Sequence, residues 1–202
     1  MRIKYILLTL LTIKAIVIIL FMTYFKPFRK DENVVLNAIH ARTSIRSYTA
    51  EPVSEEKITR MLKAAMAAPS ARNVQPWRFY VVTERAVLDR LAEGLPFAKM
   101  LGHAPLAIIV AGDTTAGDPE GEQALNWVMD CSAASQNLLL AAHAMRLGAV
   151  WTGVYPYQER IDTVRAILGI PEHIIPLNVI PIGYPDGDHE PKDKWDEGNI
   201  FR

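Results

Sequence analysis

The sequence predicts a domain of the α+β class, in which helices and strands mix without strict alternation. Three observations support this. Half of the 202 residues are apolar, which argues against a disordered chain. Some segments repeat apolar residues at helical spacing, whereas others are short apolar, aromatic or β-branched runs typical of strands. Residues 31–202 are about the length of one ordinary domain, so we expect a single globular domain there.

Residues 1–30 differ from the rest, and we interpret them as a membrane anchor and a juxtamembrane linker. Residues 5–25 are apolar except for threonines, two tyrosines and Lys14, and these 21 residues are long enough for a helix to cross a bilayer. Lys14 costs roughly 2.5–3.5 kcal/mol on insertion. Thirteen Leu, Ile, Val and Phe residues return about 0.3–0.6 kcal/mol each. A single-pass transmembrane helix is therefore expected.

Two alternatives to this anchor are a cleaved signal peptide and a buried core helix. No small-x-small cleavage site follows the apolar run, and the run barely shows the polar face of a core helix. Basic residues flank both ends, with a slight excess after the helix that favours a cytoplasmic enzyme domain.

The remaining elements follow from periodicity, caps and turn residues. Ser54 is a good N-cap, followed by two glutamates in the first turn, and Gly148 and Gly169 are stop signals. The continuous apolar run 106–111 indicates a buried central strand. Helices are predicted at 31–41, 54–67, 84–93, 123–147 and 158–168, and strands at 78–83, 106–111, 149–154 and 177–182. Small residues in 123–147 are typical of a helix at the centre of a domain or a dimer.

The composition excludes several classes of function. Lysine plus arginine equals aspartate plus glutamate at 22 each, so no global field favours nucleic acid. The single cysteine, Cys131, cannot form an internal disulfide. The five histidines are scattered without partners at ligand spacing, so no metal site is predicted.

The first candidate site motif is Arg42-Thr43-Ser44-Ile45-Arg46. Two guanidinium groups beside a hydroxyl suit a phosphate or another planar anionic group, because arginine gives bidentate, charge-assisted hydrogen bonds. The alternative is a pair of solvated arginines near a helix end.

The second motif is the turn Pro69-Ser70-Ala71-Arg72-Asn73-Val74-Gln75-Pro76-Trp77. Two prolines fix the backbone around Ser, Asn and Gln side chains that could read the polar edge of a ring. The alternative is a rigid connection between a helix and a strand.

Two shorter motifs complete the set. Gly153, in Gly148-Ala149-Val150-Trp151-Thr152-Gly153, would let a backbone amide come close to a ligand. Lys192 and Lys194 lie in the polar tail, where a solvated charged segment is the alternative.

In this order and spacing the motifs resemble the nitroreductase family of flavin mononucleotide (FMN) enzymes, over roughly residues 33–202. The Arg-x-Ser-x-Arg and Pro-Ser-x-x-Asn-x-Gln-Pro-Trp segments are the most specific elements. The resemblance implies an α+β sandwich with a central antiparallel or mixed sheet flanked by helices. It also implies an obligate homodimer with two FMN sites at the subunit interface, and helix 123–147 as the dimer core.

The resemblance also implies roles for the motif residues. Arg42, Thr43, Ser44 and Arg46 would hold the phosphate and the pyrimidine edge of the flavin. Ser70, Ala71 and Asn73 would line the ring, in part from the partner subunit. Thr152 and Gly153 would present backbone amides to the N5 edge, and Lys192 and Lys194 would close on the phosphate. No side chain is assigned as a catalytic acid or base.

The implied reaction is reduction of a nitroaromatic, quinone or related acceptor by NADH or NADPH, with hydride passing through flavin N5. Four alternatives stay open. One is a reductive dehalogenase of halotyrosine-like substrates, although residues 113–121 lack the tyrosine and lysine of such a lid. Another is a flavin-fragmenting or dehydrogenating relative. The others are an FMN-binding module without turnover and a purely structural role for the motifs.

Overall fold

The computed structural model describes residues 34–117, 121 and 124–202. The chain divides into two units, 1–36 and 37–202. The α-helices are α1 (Val34–Ala41), α2 (Glu55–Met66), α3 (Arg85–Gly94), α4 (Asn126–Ala144) and α5 (Gln158–Leu168). The strands are β1 (Trp77–Val82), β2 (Leu106–Asp113), β3 (Gly148–Ala149), β4 (Thr152–Gly153) and β5 (Ile174–Gly183). Short 3₁₀ helices cover Ala71–Asn73, Lys99–Gly102 and Glu197–Asn199.

Among the described residues, the strands form one sheet in the order β1-β2-β5-β3, and β4 also pairs with β5. Every pairing between these strands is antiparallel. Tyr80 lies opposite Ile109, and Ile109 lies opposite Val179, while a bulge interrupts the register between Val110 and Ala111. The predicted α+β class with a central antiparallel sheet is confirmed.

Helices cover both faces of the sheet. Successive residues of a strand point to opposite faces, so β2 contributes side chains to the core on each side. Ile108 and Val110 of β2 belong to a core cluster shared with α2 and α4. Ile109 and Ala111 belong to a second cluster shared with α3 and α5. All residues of β2 are buried, which explains why this strand is a continuous apolar run rather than an alternating one.

Several helix boundaries follow from local signals. The hydroxyl of Ser54 accepts a hydrogen bond from the Lys57 amide at the start of α2. Helix α5 ends where Gly169 adopts a left-handed conformation (φ 67°), which glycine reaches without steric cost. Helix α4 is shorter than predicted and begins at Asn126. It is anchored to the sheet by a buried hydrogen bond of 2.8 Å from the Asn178 amide to the Ser135 hydroxyl.

The strand predicted at 149–154 is instead two short strands, β3 and β4, in one register. Ala149 lies opposite Ile182 and Thr152 lies opposite Val179. Val150 and Trp151 lie between the two strands and belong to neither, so the pairing with β5 is interrupted at that point.

The predicted membrane localisation is corrected by the structure. Within the part of the chain that the structure describes, no helix is long and apolar enough to cross a bilayer. The longest described helix, α4, carries Asp130 and several other polar side chains over its 19 residues. The run 5–25, on which the prediction rested, lies outside the described residues. We therefore withdraw the transmembrane helix and the single-pass localisation.

Candidate functional site

The segment that carries Arg42, Ser44 and Arg46 runs along the edge of the sheet. Ser44 forms a parallel bridge with Ala149 of β3, and the amide of Ile45 donates to the carbonyl of Ala149 over 3.1 Å. Ile45 is buried whereas Ser44 and Arg46 are exposed, as alternation along extended backbone requires. The motif residues therefore project from the sheet edge.

Two glycines allow this segment to approach the sheet so closely. A Cβ atom on Gly148 would lie 2.5 Å from Cγ2 of Ile45, and one on Gly183 would lie 3.0 Å from Cβ of Tyr48. The phenol of Tyr48 donates to the Ile45 carbonyl (2.6 Å) and also lies 3.2 Å from the Pro181 carbonyl. Burial raises the pKa of this phenol above its ordinary value, and the nearby charge of Arg46 opposes the shift only partly. Tyr48 is thus a neutral anchor for the motif.

The largest opening beside the motif is a recess of about 810 Å³, which we call the cation recess. It brings together six of the predicted site residues from the motif and the tail: Arg42, Thr43, Ser44, Arg46, Lys192 and Lys194. Asp193, the one carboxylate among the described residues of its wall, accepts a hydrogen bond from the Trp195 amide. Four cationic side chains against one carboxylate make this recess suited to an anion such as a phosphate.

A smaller recess of about 130 Å³ shares Arg46 with the first, and we call it the aromatic recess. The predicted site residues Thr152 and Gly153 line it. Its other walls come from Phe97, Trp151 and Arg160, together with Pro96, Met100 and Val150. Phe97 and Arg160 were not predicted from the sequence, because each lies outside the recognised motifs.

The turn from Ser70 to Pro76 has a strained backbone and is held together by internal hydrogen bonds. Arg72, Asn73 and Gln75 all adopt positive φ (50°, 57° and 54°), which is uncommon for residues other than glycine. The Gln75 amide donates to the Ser70 hydroxyl (3.0 Å), and the Gln75 side chain donates to Asn73 Oδ1 (2.8 Å). These bonds hold the turn in one conformation.

The same turn is fastened to α4 and does not line either recess. The Ala71 amide donates to Asp130 Oδ1 over 2.9 Å, and Ala71 lines a separate cavity beside Trp127 and Asp113. Within one subunit, therefore, the structure does not bring Ser70, Ala71 and Asn73 together with Arg42 and Arg46.

The carboxylate of Asp113 supports this corner of the molecule. It accepts hydrogen bonds from Arg78 (2.7 Å) and from the amide and hydroxyl of Thr115 (3.0 and 2.6 Å). Burial alone would raise the pKa of Asp113, but the hydrogen bonds from Thr115 and the charge of Arg78 outweigh burial and lower it. By contrast, burial raises the pKa of the Cys131 thiol to about 12, which leaves this thiol unreactive.

The donors present fit FMN. The ligand needs cations for a phosphate, hydrogen-bond donors for a planar carbonyl edge, and a close backbone approach for a ring nitrogen. The cation recess, the Arg46 guanidinium and the Thr152–Gly153 backbone offer these, and Arg46 lines both recesses. The fold and this surface define a flavin-dependent oxidoreductase.

Comparison with known proteins gives the family. The sequence model described as the nitroreductase family matches residues 39–96 and 90–184, and the chain belongs to this family. A relative from Methanothermobacter thermautotrophicus, provisionally named NADH dehydrogenase/NAD(P)H nitroreductase, is 48% identical over 166 residues, 82% of this chain and 85% of its own length.

Two solved structures are also similar. One, from Parabacteroides distasonis and provisionally given the same name, is 52% identical with a TM-score of 0.79, over 85% of this chain and 98% of the other. The second is a provisionally named nitroreductase in complex with FMN from Desulfovibrio desulfuricans, 32% identical with a TM-score of 0.72, over 85% and 97% of the two chains. The predicted enzyme class, NAD(P)H-dependent flavin oxidoreductase with FMN as cofactor, is confirmed.

Proposed function

We propose that this enzyme reduces nitroaromatic, quinone or related acceptors at the expense of NADH or NADPH. For a nitro group, the first two-electron step converts the acceptor, NAD(P)H and one proton into a nitroso compound, NAD(P)⁺ and water. One observation carries the proposal: Arg46 lies on the wall of two recesses, one lined by four cationic side chains and the other by Gly153 and two aromatic rings.

Each motif residue then has a role in holding FMN. Arg42, Lys192 and Lys194 bind the phosphate through charge-assisted hydrogen bonds, with Thr43 and Ser44 as neutral donors. Arg46 donates to the pyrimidine edge and supplies a fixed positive charge where negative charge develops on reduction. Gly153 lets its backbone come close to the ring. Bound FMN supplies the hydride chemistry that no side chain of the protein offers.

We further propose that the enzyme is a homodimer whose two flavin sites are shared between subunits. Two observations support sharing. The turn containing Ser70, Ala71 and Asn73 is rigid and polar, yet it lies apart from the recesses of its own subunit. On α4, Leu125 at its N-cap and Met129 one turn later are each 62% exposed, an apolar stripe that a second copy would cover.

The positions of the proposed site elements also indicate the extent of the functional domain. We propose that residues 31–202 form one FMN-binding domain, since both recesses, the turn and α4 all fall within this range. The turn of one subunit would then complete the ring site of the other, which gives Ser70, Ala71 and Asn73 their role.

The decisive experiment is an absorbance spectrum of the purified full chain before and after anaerobic addition of NADH or NADPH. Bound flavin that bleaches with either nucleotide, and is reoxidised by a nitroaromatic or a quinone, is the expected result. Flavin that stays oxidised with both donors would contradict the proposal and indicate an FMN-binding module without turnover. Rapid reoxidation by a halotyrosine, with release of halide, would indicate a dehalogenase instead.

A further inference from the structure

The aromatic recess carries one positive charge, that of Arg160, beyond the Arg46 charge to which the proposed binding of FMN assigns a role. Its described lining includes two guanidinium groups, those of Arg46 and Arg160, and no carboxylate. Arginine keeps its charge at any pH in the working range of a protein. A partly enclosed site with an uncompensated positive charge favours an anionic occupant, because low local polarisability strengthens the attraction.

Arg160 is held firmly in position. Its guanidinium carbon lies 3.8 Å from the centroid of the Tyr157 ring, and one of its N–H groups donates to the Gly153 carbonyl over 3.0 Å. A guanidinium has five N–H donors in a planar fork. One bond to a carbonyl and one stacked face leave donors for a ligand while fixing the direction in which they point.

The two aromatic side chains of this recess, those of Phe97 and Trp151, are exposed and can contact a ligand. Phe97 is 83% exposed and Trp151 is 38% exposed. Phe97 also adopts φ 60°, and a bulky residue in this region is a backbone outlier of the kind that clusters at ligand sites. Exposed rings beside a cation suit a planar ligand that stacks with its face and presents an anionic group at its edge.

We propose that the aromatic recess is the acceptor subsite and that Arg160 determines its specificity, selecting planar aromatic acceptors that carry a carboxylate. This inference rests on the proposed function, since it names the class of acceptor used at the same site. In this arrangement Phe97 and Trp151 contact the ring of the acceptor, and Arg160 binds its carboxylate. Arg46 stays with the cofactor.

The test compares 4-nitrobenzoate with its uncharged methyl ester as acceptors of the flavin-loaded full chain. Arg160→Ala should lower kcat/KM for 4-nitrobenzoate roughly tenfold or more, the range expected when a charge-assisted hydrogen bond is lost. The value for the ester should change by less than about twofold. Arg160→Lys should restore part of the preference, because it keeps the charge but not the fork.

The control variant is Arg90→Ala, which removes an exposed arginine of α3 that lines neither recess. It should leave the ratio between the two acceptors unchanged. A binding measurement gives a readout that does not depend on turnover. Calorimetry with benzoate and benzamide on the oxidised protein should show tighter binding of benzoate, and Arg160→Ala should abolish that difference.

The outcomes separate this inference from the function on which it rests. Loss of flavin bleaching by NADH and NADPH would contradict the proposed function, and benzoate binding would still report on the recess. Normal bleaching with the same acceptor ratio in wild type and Arg160→Ala would overturn the assignment of Arg160. An equal change in kcat/KM for the acid and the ester would mean that Arg160 only positions the Gly153 backbone. That result would likewise overturn the proposed selectivity.

Discussion

The indole of Trp127 packs directly on Gly112, so that a Cβ atom on Gly112 would lie 2.2 Å from Cε3 of Trp127. This contact joins α4 to β2 at the end nearest the Ser70–Pro76 turn. The indole also makes an edge contact with Tyr155, with ring centroids 5.0 Å apart, so it has little freedom to move away. We expect Gly112→Ala to lower the free energy of unfolding by about 1–3 kcal/mol through overpacking.

Urea denaturation would measure this loss, with Gly102→Ala as the matched control. Around Gly102 a Cβ atom would meet nothing within 4 Å, so this change should be close to neutral. Equal stabilities of the two variants would mean that Trp127 is not confined as described.

The pH dependence of stability should reflect Asp113. Because its pKa in the folded state lies below the ordinary value of 3.8, the carboxylate stabilises the fold above that value. This contribution is lost as the pH falls through the lowered pKa. We expect Asp113→Asn to be less stable than the wild type at neutral pH, and the difference to shrink at an acidic pH where this carboxyl group is protonated in the folded wild type. Urea midpoints at the two pH values would show this, and a difference that persists in acid would exclude the mechanism.

Arg42→Ala should strip FMN from the protein while leaving the fold intact. Arg42 lines the cation recess from a partly exposed position at the sheet edge, so its loss removes a phosphate partner without opening the core. Flavin content after gel filtration measures the effect, and circular dichroism checks the fold. Arg60→Ala is a suitable control, since Arg60 is an exposed residue of α2 that pairs with Glu56 at 3.7 Å and lines neither recess. Full retention of flavin by Arg42→Ala would contradict the assigned role.

Shared sites make a prediction that no single-subunit site allows. Arg42→Ala and Asn73→Ala should each weaken flavin binding as homodimers. When both chains are co-expressed with different tags, the mixed dimer should recover one intact site, because both substitutions fall in the other site. Flavin bound to the doubly tagged dimer is the measurement. A mixed dimer with no flavin above either parent would argue against sharing.

Much of the fold could be predicted from the sequence because its signals are local. Helix 158–168 ends at a glycine that adopts a left-handed conformation, and strand 106–111 is apolar throughout because both of its faces are buried. The split between β3 and β4 had no such signal. Val150 and Trp151 suit a strand by composition, and only the pairing with β5 determines that they remain outside it.

The site was predictable only where a motif marked it. The spacing of Arg42, Ser44 and Arg46 anticipated one wall of the cation recess, whereas Arg160 has the sequence pattern of a solvated residue on an amphipathic helix. Its proposed role rests on contacts with Tyr157 and Gly153, three and seven residues earlier in the chain. Residue spacing alone does not show that the Arg160 side chain turns back onto these neighbours.

Arg46 lies on the wall of both recesses, and this arrangement has a consequence for how the enzyme can be altered. Phe97, Trp151 and Arg160 line only the smaller opening, so a library of variants at these three positions could retune acceptor preference while the cofactor stays in place. Arg46 offers no such freedom, because a change there affects both ligands together. Substitutions that change acceptor preference, whether natural or engineered, should therefore concentrate among the residues that line only the aromatic recess.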